Sequence, residues 1–193
     1  MRPLPLDFAI ETERLRLRVP HENDIPHVFS ASRVAGFNDG MLWDPPETIE
    51  ELRGPLERSR SAWQEARSYQ FSIELRADGA FVGRISLRPS TDEIAAEDLG
   101  GAHEVLDIGY WMHPDHQGRG YMTEALEAIV RLGFETMEAD AIVAFHTLWN
   151  DASRRVMEKV GFRRVRVFPN GFVKNGKASD DALMRLDRSE WRL

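Results

Sequence analysis

Two glycines in the stretch HPDHQGRGYMTEAL (113–126) give the clearest chemical signal, because they stand just before a helix-like pattern. Backbone N–H groups at the start of a helix have no partner inside that helix, and they bind anions. Gly118 and Gly120 would let this backbone approach a phosphate closely. The loop is therefore compatible with a phosphate site or with a plain turn, and it does not decide between them.

Two common nucleotide-binding motifs do not fit this loop. The P-loop pattern G-x-x-x-x-G-K-[ST] is absent from the chain. A dinucleotide fingerprint would need a third glycine where Thr123 stands, and it would come early in a parallel unit. Both nucleotide folds are therefore disfavoured.

The elements that must position the loop follow from hydrophobic periodicity. We predict strands at residues 14–19, 70–75, 80–88, 103–112, 141–147, 162–168 and 181–186. We predict helices at residues 22–36, 45–67, 120–137 and 151–161, the second of them broken at Gly54-Pro55. The segments 89–102 and 168–179 are expected to be loops. This order indicates one mixed α/β domain without an internal linker.

Composition excludes several function classes. The chain has 193 residues, a net charge of −7 and no cysteine, which excludes disulfides, thiolate metal sites and a cysteine nucleophile. Its acidic balance argues against broad contact with nucleic acid. No apolar run has the length of a signal peptide or a membrane span. The six histidines show no metal-ligand spacing. We therefore expect a soluble cytoplasmic protein with no nucleic-acid partner, no membrane partner and no metal.

Segment Gln117–Met122 resembles the Q/R-x-x-G-x-G/A signature of the GCN5-related N-acetyltransferases (GNAT), with Met122 in place of the final Gly or Ala. The extended form GYMTEAL is similar to the RimJ/RimL branch, which acetylates ribosomal proteins. Other segments of the chain are also similar to segments of the family, and they follow in the same order as in the family. They are IETERLRLRVPHENDI (10–25), FVGRISL (81–87), DIGYWMHPDHQGRGYMTEAL (107–126), LWNDASRRVMEKVGFRRV (148–165) and DRSEW (187–191).

This resemblance implies a single GNAT domain over residues 10–191, with a strongly bent, mixed, mostly antiparallel sheet and helices on both sides. It implies that acetyl-CoA donates an acetyl group to a primary amine by direct attack in a ternary complex. The acceptor would be a protein N-terminal α-amine or a small amine, and a homodimer stays open. The competing hypotheses are a non-catalytic acyl-CoA-binding sensor of the same fold and a plain α/β domain with an accidental glycine turn.

The resemblance also implies a set of acetyl-CoA contacts. In the family, the loop amides hold the pyrophosphate, and neighbouring residues hold the pantetheine arm. Carried onto this sequence, the cofactor-binding residues are Trp111, Met112, His113, Gln117, Gly118, Arg119, Gly120, Tyr121, Met122, Asn150 and Ser153.

The reaction needs three catalytic roles, and each has candidate residues: a general base, a donor to the oxyanion and a group that assists the leaving thiolate. Asp107 would be the general base, acting through water, or would only pair with a nearby arginine; Glu104 is the second choice. In the family, a backbone amide at a distortion of this strand stabilises the oxyanion, and by position it corresponds to residues 110–112 here. Gly109 would supply the kink, or the strand is regular and Gly109 only allows close packing.

The third duty is the departure of the thiolate. Ser153 matches the family position proposed to assist it, by donating a proton or a hydrogen bond, and Tyr110 competes for this role. Alternatively, Asn150, Asp151 and Ser153 only cap a helix. Phe37 and Trp43 either shape the acceptor pocket or merely pack.

Overall fold

Eight strands form one sheet in a computed structural model that describes residues 1–90, 94 and 97–192. The strands are β1 (Ala9–Glu11), β2 (Leu15–Arg18), β3 (Tyr69–Leu75), β4 (Phe81–Pro89), β5 (Val105–Met112), β6 (Ala141–Thr147), β7 (Arg163–Lys174) and β8 (Lys177–Asp187). Their order in the sheet is β1-β2-β3-β4-β5-β6-β8-β7. The helices are α1 (Ile25–Ser32), α2 (Arg53–Gln64), α3 (Tyr121–Arg131) and α4 (Asp151–Val160).

Strands β5 and β6 are the parallel pair in this otherwise antiparallel sheet, and they stay together for only three residues. Their pairing runs from Val105 opposite Ala141 to Asp107 opposite Val143, and then it ends. If the same register continued, Tyr110 would lie opposite His146, three positions beyond Val143. Instead the strands part, and a cleft opens between them.

Helix α3 begins directly after the glycine loop and covers one face of the sheet. Its buried side chains recur three and four residues apart, as the sequence predicts, and they join the main core: Met122, Ala125, Leu126, Ile129 and Val130. The helix does not run unchanged to residue 137, because a π-helical turn, Leu132–Thr136, follows it. Gly133 in that turn lies so close to the sheet that a Cβ atom there would meet Ile142 at 2.7 Å.

The α1 segment lies over the opposite face of the sheet. The ring of His27 stacks on Phe81 with centroids 5.5 Å apart, and Phe81 in turn adjoins Trp111 at 5.8 Å. A helical turn, Ile49–Leu52, precedes α2, so the predicted break of the second helical region occurs just before Gly54-Pro55. Helices therefore flank both faces, which matches the expected fold class.

The prediction of a loop over residues 168–179 is wrong. Strands β7 and β8 continue through it as a long hairpin that turns at Asn175-Gly176. The pairing between them shifts between Phe168 and Phe172, so the irregularity absorbs Pro169 and Gly171 within the ladder.

The remaining differences and open predictions concern the start of the chain, the acidic loop and the domain bounds. Strand β1 was not expected, and it pairs with β2. Part of the predicted 89–102 loop, residues 91–93 and 95–96, lies outside the described residues. The domain bounds 10–191 stay a prediction. Within the described part of the chain, no helix is long and apolar enough to cross a membrane.

Candidate active site

The cleft between β5 and β6 leads into a cavity of about 820 Å³. Its walls are the loop after α1, the end of β5, the glycine loop and one side of α4. Ten of the eleven predicted cofactor-binding residues line it: Trp111, Met112, Gln117, Gly118, Arg119, Gly120, Tyr121, Met122, Asn150 and Ser153. The structure thus brings together residues up to 42 positions apart in the sequence.

His113 is the predicted contact that does not line the cavity. Its side chain is buried, and its ring Nδ1 accepts the backbone N–H of Asp115 at 3.3 Å. Its own backbone N–H donates to the carbonyl of Val82 at 2.8 Å. His113 therefore fastens the glycine loop to β4 from behind, which is a supporting role.

The glycine loop presents free backbone donors to the cavity. Gly118 and Gly120 have φ angles of +75° and +77°, in the left-handed region that favours glycine. Gly120 is the N-terminal cap of α3, and no side chain accepts a hydrogen bond from the helix's first turn at this cap. An anion in the cavity would satisfy these N–H groups and the positive end of the helix dipole.

Basic side chains surround the same end of the cavity. Arg119 belongs to the loop itself, and Arg155 and Lys159 reach the cavity from α4. Sequence analysis missed the last two, although their spacing of four residues would place them on one side of a helix. They make one end of the cleft locally positive in a chain of net charge −7, as a polyanionic ligand requires.

Tyr110 and Ser153 meet inside the cleft. The phenol oxygen lies 2.9 Å from Ser153 Oγ and 3.1 Å from the Ser153 carbonyl oxygen. Burial raises the pKa of Tyr110 to about 12, although the hydrogen bond with Ser153 lowers it in part. The phenol is therefore a neutral proton donor at physiological pH.

Helix capping is not the role of the Ser153 side chain. Asn150 is the N-terminal cap of α4, and its Oδ1 accepts the backbone N–H of Ser153 at 3.0 Å. The Ser153 hydroxyl faces Tyr110 instead. Asn150 therefore caps the helix, whereas the Ser153 hydroxyl lies in the cleft next to Tyr110.

Backbone amides of β5 point into the cleft without the expected distortion. The β4–β5 register is continuous from Gly83 opposite Met112 to Pro89 opposite Leu106, so the predicted kink at Gly109 is wrong. Successive N–H groups of a strand point to opposite neighbours. The N–H of residue 113 points to β4, so those of Tyr110 and Met112 point toward the cleft. The divergence of β6 leaves them free.

Asp107 does not reach the cavity. It lies on the sheet face opposite Ile108 and Tyr110, because side chains alternate along a strand. Its Oδ2 accepts two hydrogen bonds from Arg88, at 2.8 and 3.2 Å. The geometry therefore favours the ion-pair alternative over the general base. Glu104, the second choice, is exposed before β5 begins.

Aromatic side chains form the mouth of the cavity. Phe37 lines it and packs edge-on against Trp111, with ring centroids 5.3 Å apart. Trp43 packs behind Phe37 at 6.1 Å and does not line the cavity. Sequence analysis missed Trp149, which lines the opposite rim and is 53% exposed. A tryptophan directly before the predicted cap residue Asn150 was the available signal.

Comparisons with known proteins agree with this site. Residues 14–163 match the family model of an acetyltransferase (GNAT) domain. The uncharacterized N-acetyltransferase YoaA of Bacillus subtilis is 26% identical over 171 residues, 89% of this chain and 92% of that protein. The ribosomal-protein-uS5-alanine N-acetyltransferase of Escherichia coli is 23% identical over 192 residues, 94% of this chain and 92% of that protein.

A solved structure of RimL, a ribosomal L7/L12 alpha-N-protein acetyltransferase in complex with coenzyme A, has the same fold. Its TM-score is 0.78 at 20% identity, over 93% of this chain and 98% of that chain. The chain belongs to the GNAT acetyltransferase family. The predicted fold class and the resemblance to the RimJ/RimL branch are confirmed, and the protein is an N-acetyltransferase with acetyl-CoA as its acetyl donor.

Proposed function

We propose that this enzyme acetylates the N-terminal α-amine of a polypeptide by direct attack on acetyl-CoA in a ternary complex. One observation carries the choice of acceptor: among the described residues that line the cavity, none is Asp or Glu. A free α-amine has a pKa near 8, whereas a lysine amine has one near 10.4. About a tenth of such α-amines are neutral at pH 7, so they can attack without a carboxylate base.

The cofactor would lie along the cavity from the glycine loop to the aromatic mouth. Its diphosphate would accept hydrogen bonds from the amides that follow Gly118, and Arg119, Arg155 and Lys159 would balance its charge. The pantetheine arm would run between β5 and α4, past Asn150. The thioester would then lie beside the free amides of β5.

The chemical step needs two donors near the thioester. The amine nitrogen attacks the carbonyl carbon, and the N–H of Tyr110 or Met112 stabilises the oxyanion. When the carbon–sulfur bond breaks, the thiolate takes a proton from Tyr110, with Ser153 hydrogen-bonded to the phenol. The new amide nitrogen gives its extra proton to water, and Tyr110 regains a proton from solvent.

The open mouth fits the end of a chain. Phe37 and Trp149 border it, and both are large enough to contact the first side chains of a peptide. Two relatives are named for acetylation of ribosomal proteins, one as a uS5-alanine N-acetyltransferase and one as an L7/L12 alpha-N-protein acetyltransferase. A short peptide that begins with a small residue is therefore the first acceptor to test.

An acceptor panel tests this function. Release of free thiol from acetyl-CoA is measured with peptides bearing a free α-amine, with the same peptides blocked at the α-amine but containing lysine, and with polyamines or aminoglycosides. The free α-amine peptides should give the highest kcat/KM. Faster turnover of the blocked or small amines would refute the α-amine assignment, and tight binding without thiol release would favour the sensor.

A pair of glycine variants tests the position of the cofactor. Gly120→Trp should abolish coenzyme A binding in a folded protein, because a side chain at this left-handed position, with its Cβ 3.5 Å from a terminal nitrogen of Arg14, would shift the loop backbone that binds the diphosphate. Gly176→Trp is the matched control, with a similar φ of +73° in the β7–β8 turn and open space around its Cβ. Unchanged affinity in folded Gly120→Trp contradicts the placement of the diphosphate.

A further inference from the structure

A second cavity of about 560 Å³ lies behind the glycine loop, and Arg14 is part of its wall. Gly120, Thr123 and Lys159 line both this cavity and the larger one, so the two cavities adjoin at the glycine loop and the start of α3. Arg14 comes from the connection between β1 and β2, more than 100 residues before the loop. Arg14 lines the second cavity and not the larger one, so it meets the loop outside the space proposed for the cofactor.

The guanidinium of Arg14 contacts three consecutive parts of the loop and helix. One terminal nitrogen donates to the carbonyl oxygen of Arg119 at 3.0 Å, and Nε donates to Glu124 Oε2 at 2.6 Å. The guanidinium carbon also lies 4.8 Å from the ring centroid of Tyr121. A planar fork of donors can make such contacts together, which a lysine ammonium cannot.

The bond to the Arg119 carbonyl fixes the direction of an amide that faces the proposed diphosphate. The C=O of Arg119 and the N–H of Gly120 belong to one planar trans peptide group, so they point in opposite directions. Arg14 holds the carbonyl on the side of the second cavity. The Gly120 N–H consequently points away from Arg14 before any ligand arrives, and Gly120 lines the larger cavity.

Arg14 also neutralises a carboxylate close to the anion site. Glu124 lies in the first turn of α3 and accepts hydrogen bonds from Thr12 Oγ1 at 2.6 Å and from the Arg14 backbone N–H at 2.8 Å. Burial alone would raise the pKa of Glu124, but the hydrogen bonds from Thr12 and Arg14 outweigh burial and lower it. Glu124 is therefore ionised, and Arg14 offsets its repulsion of a diphosphate.

We propose that Arg14 is a positioning residue for the cofactor diphosphate: it orients the Arg119–Gly120 peptide so that its N–H is ready to bind. This inference rests on the proposed binding of acetyl-CoA at the glycine loop. Arg14 itself does not touch the cofactor; it acts through the backbone it holds.

Calorimetric titration of coenzyme A into the wild-type protein and three variants tests the proposal. Arg14→Ala should weaken binding about tenfold, or roughly 1.4 kcal/mol, at unchanged stoichiometry. Arg14→Lys keeps the charge but not the fork, and it should also bind more weakly than wild type. Arg16→Ala is the matched control two residues further along the chain, in β2, with a side chain 48% exposed against 45% for Arg14; its affinity should equal that of wild type.

Each other outcome overturns the proposal. Wild-type affinity in Arg14→Ala shows that the loop needs no support from Arg14. Wild-type affinity in Arg14→Lys shows that charge alone matters. A lower stoichiometry, or loss of the circular dichroism of the fold in both variants, shows a general structural role. If the wild-type protein itself fails to bind coenzyme A, the proposed function fails first, and this result is distinct from the others.

Discussion

The phenol oxygen of Tyr110 lies 2.9 Å from Ser153 Oγ, which joins strand β5 to helix α4 across the cleft. A phenol has one proton, so Tyr110 can donate to the Ser153 carbonyl or to the hydroxyl, or release that bond toward a ligand. Because both groups are neutral at physiological pH, the pair supplies a proton donor without placing a charge beside the thioester.

Tyr110→Phe should lower kcat about 100-fold, near the lower end of what a general acid contributes. The thiolate of coenzyme A is a tolerable leaving group, since a thiol has a pKa near 8.5, so the loss should not be larger. Thiol release at saturating acetyl-CoA measures kcat. Ser153→Ala is the comparison, and its smaller loss would reflect the retained phenol. An undiminished kcat in Tyr110→Phe would remove the phenol from the mechanism.

The same phenol should make stability depend on alkaline pH. The pKa of Tyr110 is about 12 in the folded protein, because burial disfavours the phenolate, against an ordinary value of 10.0. The folded state thus holds the proton more tightly, and this contribution is complete below pH 10 and lost as pH rises toward 12. Two pKa units correspond to roughly 2.7 kcal/mol.

Urea unfolding at pH 8 and pH 11 measures this dependence. The free energy of unfolding of the wild-type protein should fall more between these pH values than that of Tyr110→Phe. The difference between the two proteins isolates Tyr110 from every other group that titrates in the range. Parallel losses in both proteins would show that the phenol is not buried as described.

Asp107→Asn should leave kcat within about twofold of wild type, because this carboxylate lies outside the cavity and makes no interaction that strengthens in the transition state. The carboxylate accepts both its hydrogen bonds from Arg88 on the sheet face away from Tyr110. The stability cost should be small, since Arg88 is half exposed. A tenfold lower kcat or an altered pH–rate profile would restore Asp107 as the base.

The sequence predicted the elements whose patterns are local. The apolar spacing of α3 and the short central strand β6 depend on residues within one element. The β7–β8 hairpin was missed because Pro169 and Gly171 are typical turn residues, and only cross-strand pairing shows that an irregularity absorbs them. The π-helical turn was missed because it depends on the approach of Gly133 to β6.

The predicted site divides in the same way. The glycine loop would bind through its own backbone, so the resemblance of Gln117–Met122 to the family signature was enough to predict it as a site. The role of Asp107 depends on Arg88, which stands 19 residues earlier on another strand. Alternation along β5 already placed Asp107 and Tyr110, three residues apart, on opposite faces. Arg14 was beyond reach, because its contact with residue 119 exists only after folding.

A buried carboxylate near the start of the chain gives the last prediction. Asp24 is 1% exposed and accepts hydrogen bonds from Arg18 at 2.8 and 3.0 Å, from Ser72 Oγ at 2.6 Å and from the backbone N–H of His21 at 3.0 Å. Burial alone would raise the pKa of Asp24, but the bonds from Arg18, Ser72 and His21 outweigh burial and lower it. Asp24 therefore stabilises the fold in its ionised form.

Asp24→Asn should lower the free energy of unfolding at pH 7 by about 3 kcal/mol, because it leaves the Arg18 charge without its buried partner. A carboxylate whose pKa is lower in the folded state gives stability that is present above its ordinary value of 3.8 and lost as pH falls. The difference between wild type and Asp24→Asn, measured by urea unfolding, should therefore shrink from pH 7 to pH 3. Glu158→Gln, which breaks a half-exposed pair with Arg154 on α4, is the control and should change stability by less than about 0.5 kcal/mol. An equally small effect for Asp24→Asn would mean that the ion pair with Glu74 alone is enough to balance the charge of Arg18.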